Sequence, residues 1–292
     1  MKITLLGTGT PTNPTRFQSS VVVEIGDDVL LFDAGRGTVH QMYQAGIAVQ
    51  RVNPVFITHH HFDHINDLFD VIISTAMQGR TEPLQIFGPA GTHRIVQALL
   101  EQVYAADIRF RLEEDRAVRQ AGGSWGEQPQ AISHITGRDV GAELVIATDN
   151  WRVTADFVQH GTFPNAPDFQ WRCLGYRIES AGRVVTISGD TVPCDGVVRL
   201  AQDADLLIQC CHMPQSAVNN PVMQYLADDV IASSTQAGII AAAANVKRMV
   251  LTHLSATIHQ GNFDEILADV RQAYTGEVLL GEDLLVLHLP PA

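Results

Sequence analysis

Thr58-His59-His60-His61-Phe62-Asp63-His64 packs four histidines and one aspartate into seven residues, directly after the apolar run Asn53-Pro54-Val55-Phe56-Ile57. In extended backbone, side chains two apart share a face, so His59 and His61 leave a strand end together while His60 points away. If the chain then enters a helix over 65–77, Asp63 and His64 sit at its first turn beside those two histidines. Imidazole and carboxylate are the usual nitrogen and oxygen ligands of zinc, and two adjacent ligand sets are enough to hold a pair of metal ions. A histidine run can also be a solvated loop or a tag, but this one is internal, spaced His-x-His-x-Asp-His, and follows a buried-looking strand.

Composition sets the frame around this motif. With 292 residues, 46% of them hydrophobic, the chain can bury a large core, and we read 1–292 as a single domain. Lys and Arg number 19 against 32 Asp and Glu, a formal charge of -13 that repels phosphate backbones at long range. The densest basic stretch, 109–119, is interrupted by Glu113, Glu114 and Asp115 and reads as a solvated face. A nucleic-acid partner is therefore not expected.

Cys173, Cys194, Cys210 and Cys211 show neither a disulfide framework nor a CxxC zinc pair, which suits reduced thiols in the cytoplasm. The opening residues read as a strand and not a signal peptide. The longest apolar stretch, 237–244, is too short and alanine-rich to span a bilayer, so no membrane partner is expected.

Along the chain, apolar periodicity predicts strands and helices in two similar halves. Strands over 20–25 and 29–32 flank Gly26-Asp27-Asp28 and deliver Asp33, which we read as orienting a ligand histidine or the loop backbone. Helices are predicted over 38–45, 65–77, 92–104, 226–244 and 263–274. Residues 112–142 decay into charge and glycine and read as an insertion or a lid over the site. Strands over 153–159, 183–187, 206–209 and 248–251 end respectively at His160, at Ser188-Gly189-Asp190-Thr191, at Cys210-Cys211-His212 and at Thr252-His253-Leu254-Ser255. His59 and His61, His160, Asp190 and His253 thus each follow a different strand, and loops at one edge of a layered sheet structure can bring such residues together.

These motifs, with Leu6-Gly7-Thr8-Gly9-Thr10-Pro11, Asp33-Ala34-Gly35-Arg36-Gly37-Thr38 and Leu174-Gly175-Tyr176, resemble the successive motifs of the metallo-β-lactamase superfamily. Within it the chain is similar to the branch holding tRNase Z and the arylsulfatases of this fold. The resemblance implies an α/β four-layer αββα sandwich with two zinc ions between the sheets, manganese or iron being alternatives. His59, His61 and His160 would hold one ion, Asp63, His64 and His253 the other, with Asp190 bridging. Attack by a metal-bridging hydroxide would follow, with Asp63 orienting the nucleophile and taking its proton.

The chain departs from the tRNase Z pattern where substrate is handled. A His-Glu-Ala-Thr motif is replaced by Gln209-Cys210-Cys211-His212, and a His-Ser-Thr by Ser233-Ser234-Thr235. The Glu-His pair that would assist a leaving group is missing, and no long glycine- and proline-rich tRNA-clamping arm is recognisable. His212 and His259 are the residues that could substitute as acid. The expectation is a zinc hydrolase of small esters with good leaving groups, of aryl sulfate or phosphate di- and triester type, for which a homodimer is an allowed assembly. A tRNA 3′-end endonuclease, a lactonase and a metal-containing sensor without turnover are the alternatives.

Overall fold

Short, nearly continuous apolar runs buried on both faces begin the first sheet: β1 (Lys2–Gly7), β2 (Ser20–Ile25) and β3 (Asp28–Phe32), joined by β4 (Val52–Phe56), β5 (Leu84–Gly88) and β6 (Ile135–Asp139). A second series, β7 (Glu143–Ala147), β8 (Trp151–Val158), β9 (Cys173–Ser180), β10 (Arg183–Ile187), β11 (Leu206–Cys210), β12 (Arg248–Thr252) and β13 (Glu277–Leu280), builds the other sheet. The last strand, β14 (Leu285–His288), returns to the edge of the first. The structure is a computed structural model that describes residues 1–126, 131–132, 134–163, 165–166, 168–169 and 171–292.

Among the described residues the strand orders are β14-β1-β2-β3-β4-β5-β6 and β13-β12-β11-β10-β9-β8-β7. Each sheet is antiparallel at one end and parallel at the other, the parallel strands being β3 to β6 and β10 to β13. The two halves of the chain therefore repeat one plan.

The inner faces meet in a core that includes Phe32, Phe56, Tyr176, Ile178 and Val250, all essentially inaccessible. Phe32 stacks on Phe56 at 4.8 Å, and both rings tilt onto Tyr176 across the sheets. Burial of each such side chain contributes about 1.5–3 kcal/mol. The Tyr176 hydroxyl donates to the Ile57 carbonyl at 2.7 Å, and the Leu174 amide donates to the Thr58 carbonyl at 2.8 Å. The second sheet is thereby tied to the backbone that carries the histidine motif. Helices Thr38–Gln44, Leu68–Met77 and Thr92–Ala98 cover the outer face of the first sheet. Helices Asp195–Ala201, Ser234–Ala243 and Phe263–Val270 cover that of the second. The expected αββα sandwich is what the chain forms.

Several elements differ from the sequence-based expectation. Residues 112–120 are not irregular but complete the helix Ala105–Gln120. Its Arg111–Asp107, Arg116–Glu113 and Arg119–Asp115 pairs lie three or four residues apart and support a helix that has almost no buried stripe. Residues 135–139 are β6, paired with β5, and 143–147 are β7. Residues 127–130 and 133 of the expected lid lie outside the described residues.

The helix expected over 226–244 is interrupted. A wide turn at Leu226–Val230 gives way to extended Ile231, and Ser233 opens a new helix with Gln236 in a reciprocal capping box. Likewise 65–77 divides into Phe62–Ile65 and Leu68–Met77, since the Asp67 amide donates to the Ala34 carbonyl instead of continuing one helix.

Asp205, at the foot of β11, clamps three neighbouring strands. Its carboxylate accepts the Val184 amide at 2.9 Å, Arg183 Nη1 at 3.0 Å and Lys247 Nζ at 2.8 Å. Burial pushes this carboxyl's pKa up, but the Lys247, Val184 and Arg183 bonds outweigh it and hold the pKa below its ordinary value. A lowered folded-state pKa means the contribution is complete above the unfolded value of about 4 and is lost as pH falls through the folded one. Asp205→Asn is expected to cost roughly 1–3 kcal/mol at pH 7 and to flatten the acid limb of stability. Urea unfolding of both proteins from pH 7 to 3 measures this, and parallel acid limbs would overturn it.

Candidate metal centre

Four strand ends on one edge of the sandwich supply the site. β4 leads to Thr58, His59 and His61, and the one-turn helix Phe62–Ile65 adds Asp63 and His64. His160 follows β8, Asp190 follows β10 and His253 follows β12. His60 turns away, its Nε2 lying 2.8 Å from Thr92 Oγ1, as the alternation of side chains requires. The loops approach closely. A methyl group on Gly35 would meet the Asp63 carbonyl at 2.3 Å, and Gly189 has a φ of +60° with the Leu174 carbonyl against it.

Asp33, in left-handed backbone with φ 59°, organises this edge. Its Oδ1 accepts the Thr58 amide at 2.7 Å, and its Oδ2 accepts the Thr58 hydroxyl at 2.9 Å and His64 Nδ1 at 2.7 Å. Since the Thr58 hydroxyl donates to Asp33, it accepts from His59 Nδ1, 3.0 Å away. His160 Nδ1 donates to the Val230 carbonyl at 2.6 Å. That carbonyl is available because the helix breaks there. With these Nδ1 protons committed, the Nε2 atoms of His59 and His160 face the centre as lone pairs, and that of His64 does so once its second proton is released.

Those lone pairs crowd one another. His61 Nδ1 lies 3.0 Å from His59 Nε2 and 3.1 Å from His160 Nε2. Asp190 Oδ2 is 3.8 Å from both His59 and His160, 3.5 Å from His64 Nε2 and 3.2 Å from His253 Nε2. Asp63 Oδ2 is 3.5 Å from His64 Nε2 and 3.2 Å from His253 Nε2. His64 Nε2 is buried without a hydrogen-bond partner. Ligands about 2.0–2.2 Å from a tetrahedral zinc are separated by about 3.3–3.6 Å, so these spacings fit cations. His59, His61, His160 and Asp190 could hold one ion, and Asp63, His64 and His253 a second, the atoms of each group lying within 4.8 Å of one another.

Protonation agrees with that use at His59, His61, His160, Asp63 and Asp190, whereas His64 must give up a proton to bind a cation. Burial, then the neighbouring His64, holds the His59 pKa well below its ordinary value, and burial also lowers His61 and His160. Burial pushes Asp190 up, yet His253 and His64 outweigh it and keep the carboxyl well below the usual range. Asp63 is lowered against its burial in the same way, by the His253 hydrogen bond and the nearby His64. His64, despite burial, is raised well above its ordinary value by Asp190 and Asp33. Ionised carboxylates and neutral imidazoles are the forms that bind metal.

The other expected acids are placed differently. His212 lies beside the centre, its ring 6.1 Å from that of His253 and its buried Nδ1 unpartnered. Burial and His253 push it down to about 4. His259 is exposed, and its ring caps the turn Gln260–Asn262; no contact among the described residues brings it to the cluster. Trp171, which belongs to none of the sequence motifs above, has its ring 4.8 Å from that of His61.

Similarity to known proteins completes the picture. The family model of the anti-Pycsar protein Apyc1 matches residues 1–117. Ribonuclease Z of Mycobacterium bovis is 30% identical over 100% of this chain and 99% of its own length. The chain belongs to the ribonuclease Z family. It is thereby a metal-dependent hydrolase of ester bonds within the metallo-β-lactamase superfamily. The same fold occurs in human tRNase Z, short form, with TM-score 0.70 and 23% identity over 99% of this chain and 100% of that one. It recurs in the metallo-β-lactamase fold protein YhfI from Bacillus subtilis, with TM-score 0.72 and 20% identity over 98% of both chains.

Family membership overturns the expectation of a small-ester hydrolase without a nucleic-acid partner and favours the tRNA-processing alternative, because the relatives that match end to end are ribonucleases by name. Net charge misled: it sums a whole surface, whereas a phosphodiester meets only the groups within a Debye length of the site, about 8 Å.

Asp33→Ala is expected to free Thr58 and His64 together and to weaken metal binding about 10–100-fold. Competition against a chromophoric chelator reads this directly; an unchanged affinity would remove Asp33 from its orienting role.

Proposed function

We propose that the protein is a metal-dependent endoribonuclease of the tRNA 3′-end-processing class. The observation that carries the reading is the end-to-end 30% identity to ribonuclease Z in a chain whose seven expected ligands gather at one site. We assign two zinc ions, one to His59, His61 and His160 and one to Asp63, His64 and His253, with Asp190 between them. When bound, such ions supply Lewis acidity toward a phosphodiester and lower the pKa of water. The remaining chemistry falls to the chain's own groups.

Asp63 is held ionised, and its carboxylate is the group placed to orient the attacking water and receive its proton. Neither residue at the positions of the missing pair can protonate the departing oxygen. The Cys210 thiol is pushed up to about 12 by burial and packs in the core. The Ser233 hydroxyl donates to Gln215 Oε1 at 2.8 Å and caps the following helix. His212 is neutral at pH 7 with a pKa of about 4, so it offers the departing oxygen a hydrogen bond and not a stored proton. Four free cysteines support a reducing, cytoplasmic setting, where tRNA precursors are processed.

Zinc-loaded protein is expected to cleave a precursor tRNA carrying a 3′ trailer and to lose this activity with a chelator. His61→Ala and Asp190→Ala should each lower kcat/KM by more than about 100-fold with a matching loss of bound metal. Gel analysis of end-labelled precursor with metal quantified in parallel decides the matter; intact precursor after incubation with fully metallated wild-type protein would refute the assignment.

A further inference from the structure

Next to His61 begins a run of aromatic rings that the ligand cluster does not use. Trp171 lies 4.8 Å from the His61 ring and 6.1 Å from that of His59. Phe169 follows at 6.1 Å from Trp171 and within 20° of parallel, and Phe163 meets Phe169 edge-on at 5.4 Å. Phe169 is 54% exposed and Phe163 43%, although the protein has an ample apolar core in which to bury such rings. The Tyr225 hydroxyl pins the start of this loop by donating to the Thr162 carbonyl at 3.0 Å.

An exposed apolar patch continuous with a polar reactive centre marks a ligand surface. Its occupant must adjoin a phosphodiester held at the metal ligands and must present a flat face. We propose that Phe163, Phe169 and Trp171 form a stacking platform for the nucleobase adjoining the scissile phosphate. This rests on the reading of the site as an RNA hydrolase.

The charge balance gives the platform its importance. Nucleic-acid affinity usually comes from basic side chains and counterion release, but here 32 acidic residues face 19 basic ones. Base–aromatic stacking, at about 1–3 kcal/mol per base, supplies affinity that long-range charge does not. Because every base has a flat face, the platform positions the strand without selecting a base. It is also stepped: Trp171, beside His61, meets the base nearest the metal centre, and Phe169 and Phe163 extend the surface away from it. Stacking at a fixed distance from the ligands would set which phosphate enters the site.

The test uses zinc-loaded, full-length protein and a short 2′-O-methyl oligonucleotide that resists cleavage, with and without an abasic residue at the junction. Binding is expected to quench tryptophan emission, and Trp171→Phe should abolish the quench while retaining most of the affinity. Phe169→Ala should weaken binding of the intact oligonucleotide about 5- to 100-fold, which is the stacking range above, and leave metal content unchanged. Phe169→Tyr should restore the affinity, and the abasic oligonucleotide should not distinguish Phe169→Ala from wild type.

Equal affinity for intact and abasic oligonucleotides in wild type would overturn the platform, as would a Phe169→Ala protein indistinguishable from wild type. A change of sedimentation coefficient in Phe169→Ala would also overturn it, by making the rings an interface between copies of the chain. Base-dependent quenching without cleavage of precursor tRNA would sink the proposed function and leave the platform standing. Cleavage without base dependence would do the reverse.

Discussion

The carboxylate of Asp33 is the constraint on which the site depends. One buried group accepts the Thr58 amide, the Thr58 hydroxyl and the His64 imidazole. In doing so it fixes the exit of β4, the rotamer of Thr58 and, through the Thr58 hydroxyl, the tautomer of His59. A buried carboxylate with unfilled lone pairs would cost several kcal/mol, so these bonds are obligatory for the fold as well as useful for the site. Stability and ligand geometry therefore share the same atoms at this point.

Irregular backbone does comparable service elsewhere. The helix break at 231–233 leaves the Val230 carbonyl to accept His160 Nδ1, and the Asp229 carbonyl accepts the Gly161 amide. The capping box of Ser233 and Gln236 recovers the orphan donors of the restarted helix, which limits the cost of the interruption. At the other half of the site, the Ala34 amide donates to the His64 carbonyl and the Ala34 carbonyl accepts the Asp67 amide. Each ligand loop is thus held by main-chain bonds to a neighbouring loop, which keeps the ligand atoms close before any cation arrives.

Substrate class is where composition and site part company. A charge of -13 describes the whole surface, whereas the site presents carboxylates and imidazoles whose combined charge is set by the cations they hold. The surface that adjoins it carries the rings of Trp171, Phe169 and Phe163. Reading the acidic balance as evidence against RNA confused long-range repulsion, which salt screens, with local contact, which it does not. At the positions read as replacing the family's Glu-His pair, Cys210 packs in the core and Ser233 caps a helix.

By itself the sequence singled out the seven side chains that cluster, because strand periodicity and the spacing of His59, His61, Asp63 and His64 are local properties, while the sandwich was implied by the motifs' resemblance to the metallo-β-lactamase superfamily. It also singled out Asp33, whose carboxylate bonds to Thr58 and His64. The helix Ala105–Gln120 was illegible because charge pairs, and not an apolar stripe, support it. Only the tertiary structure decided that Val230 supports His160, that His212 adjoins the centre while His259 does not, and that Trp171 stands against His61. Main-chain carbonyls look alike in any sequence, and contacts between residues tens of positions apart are set by which loops the two sheets bring to the same edge.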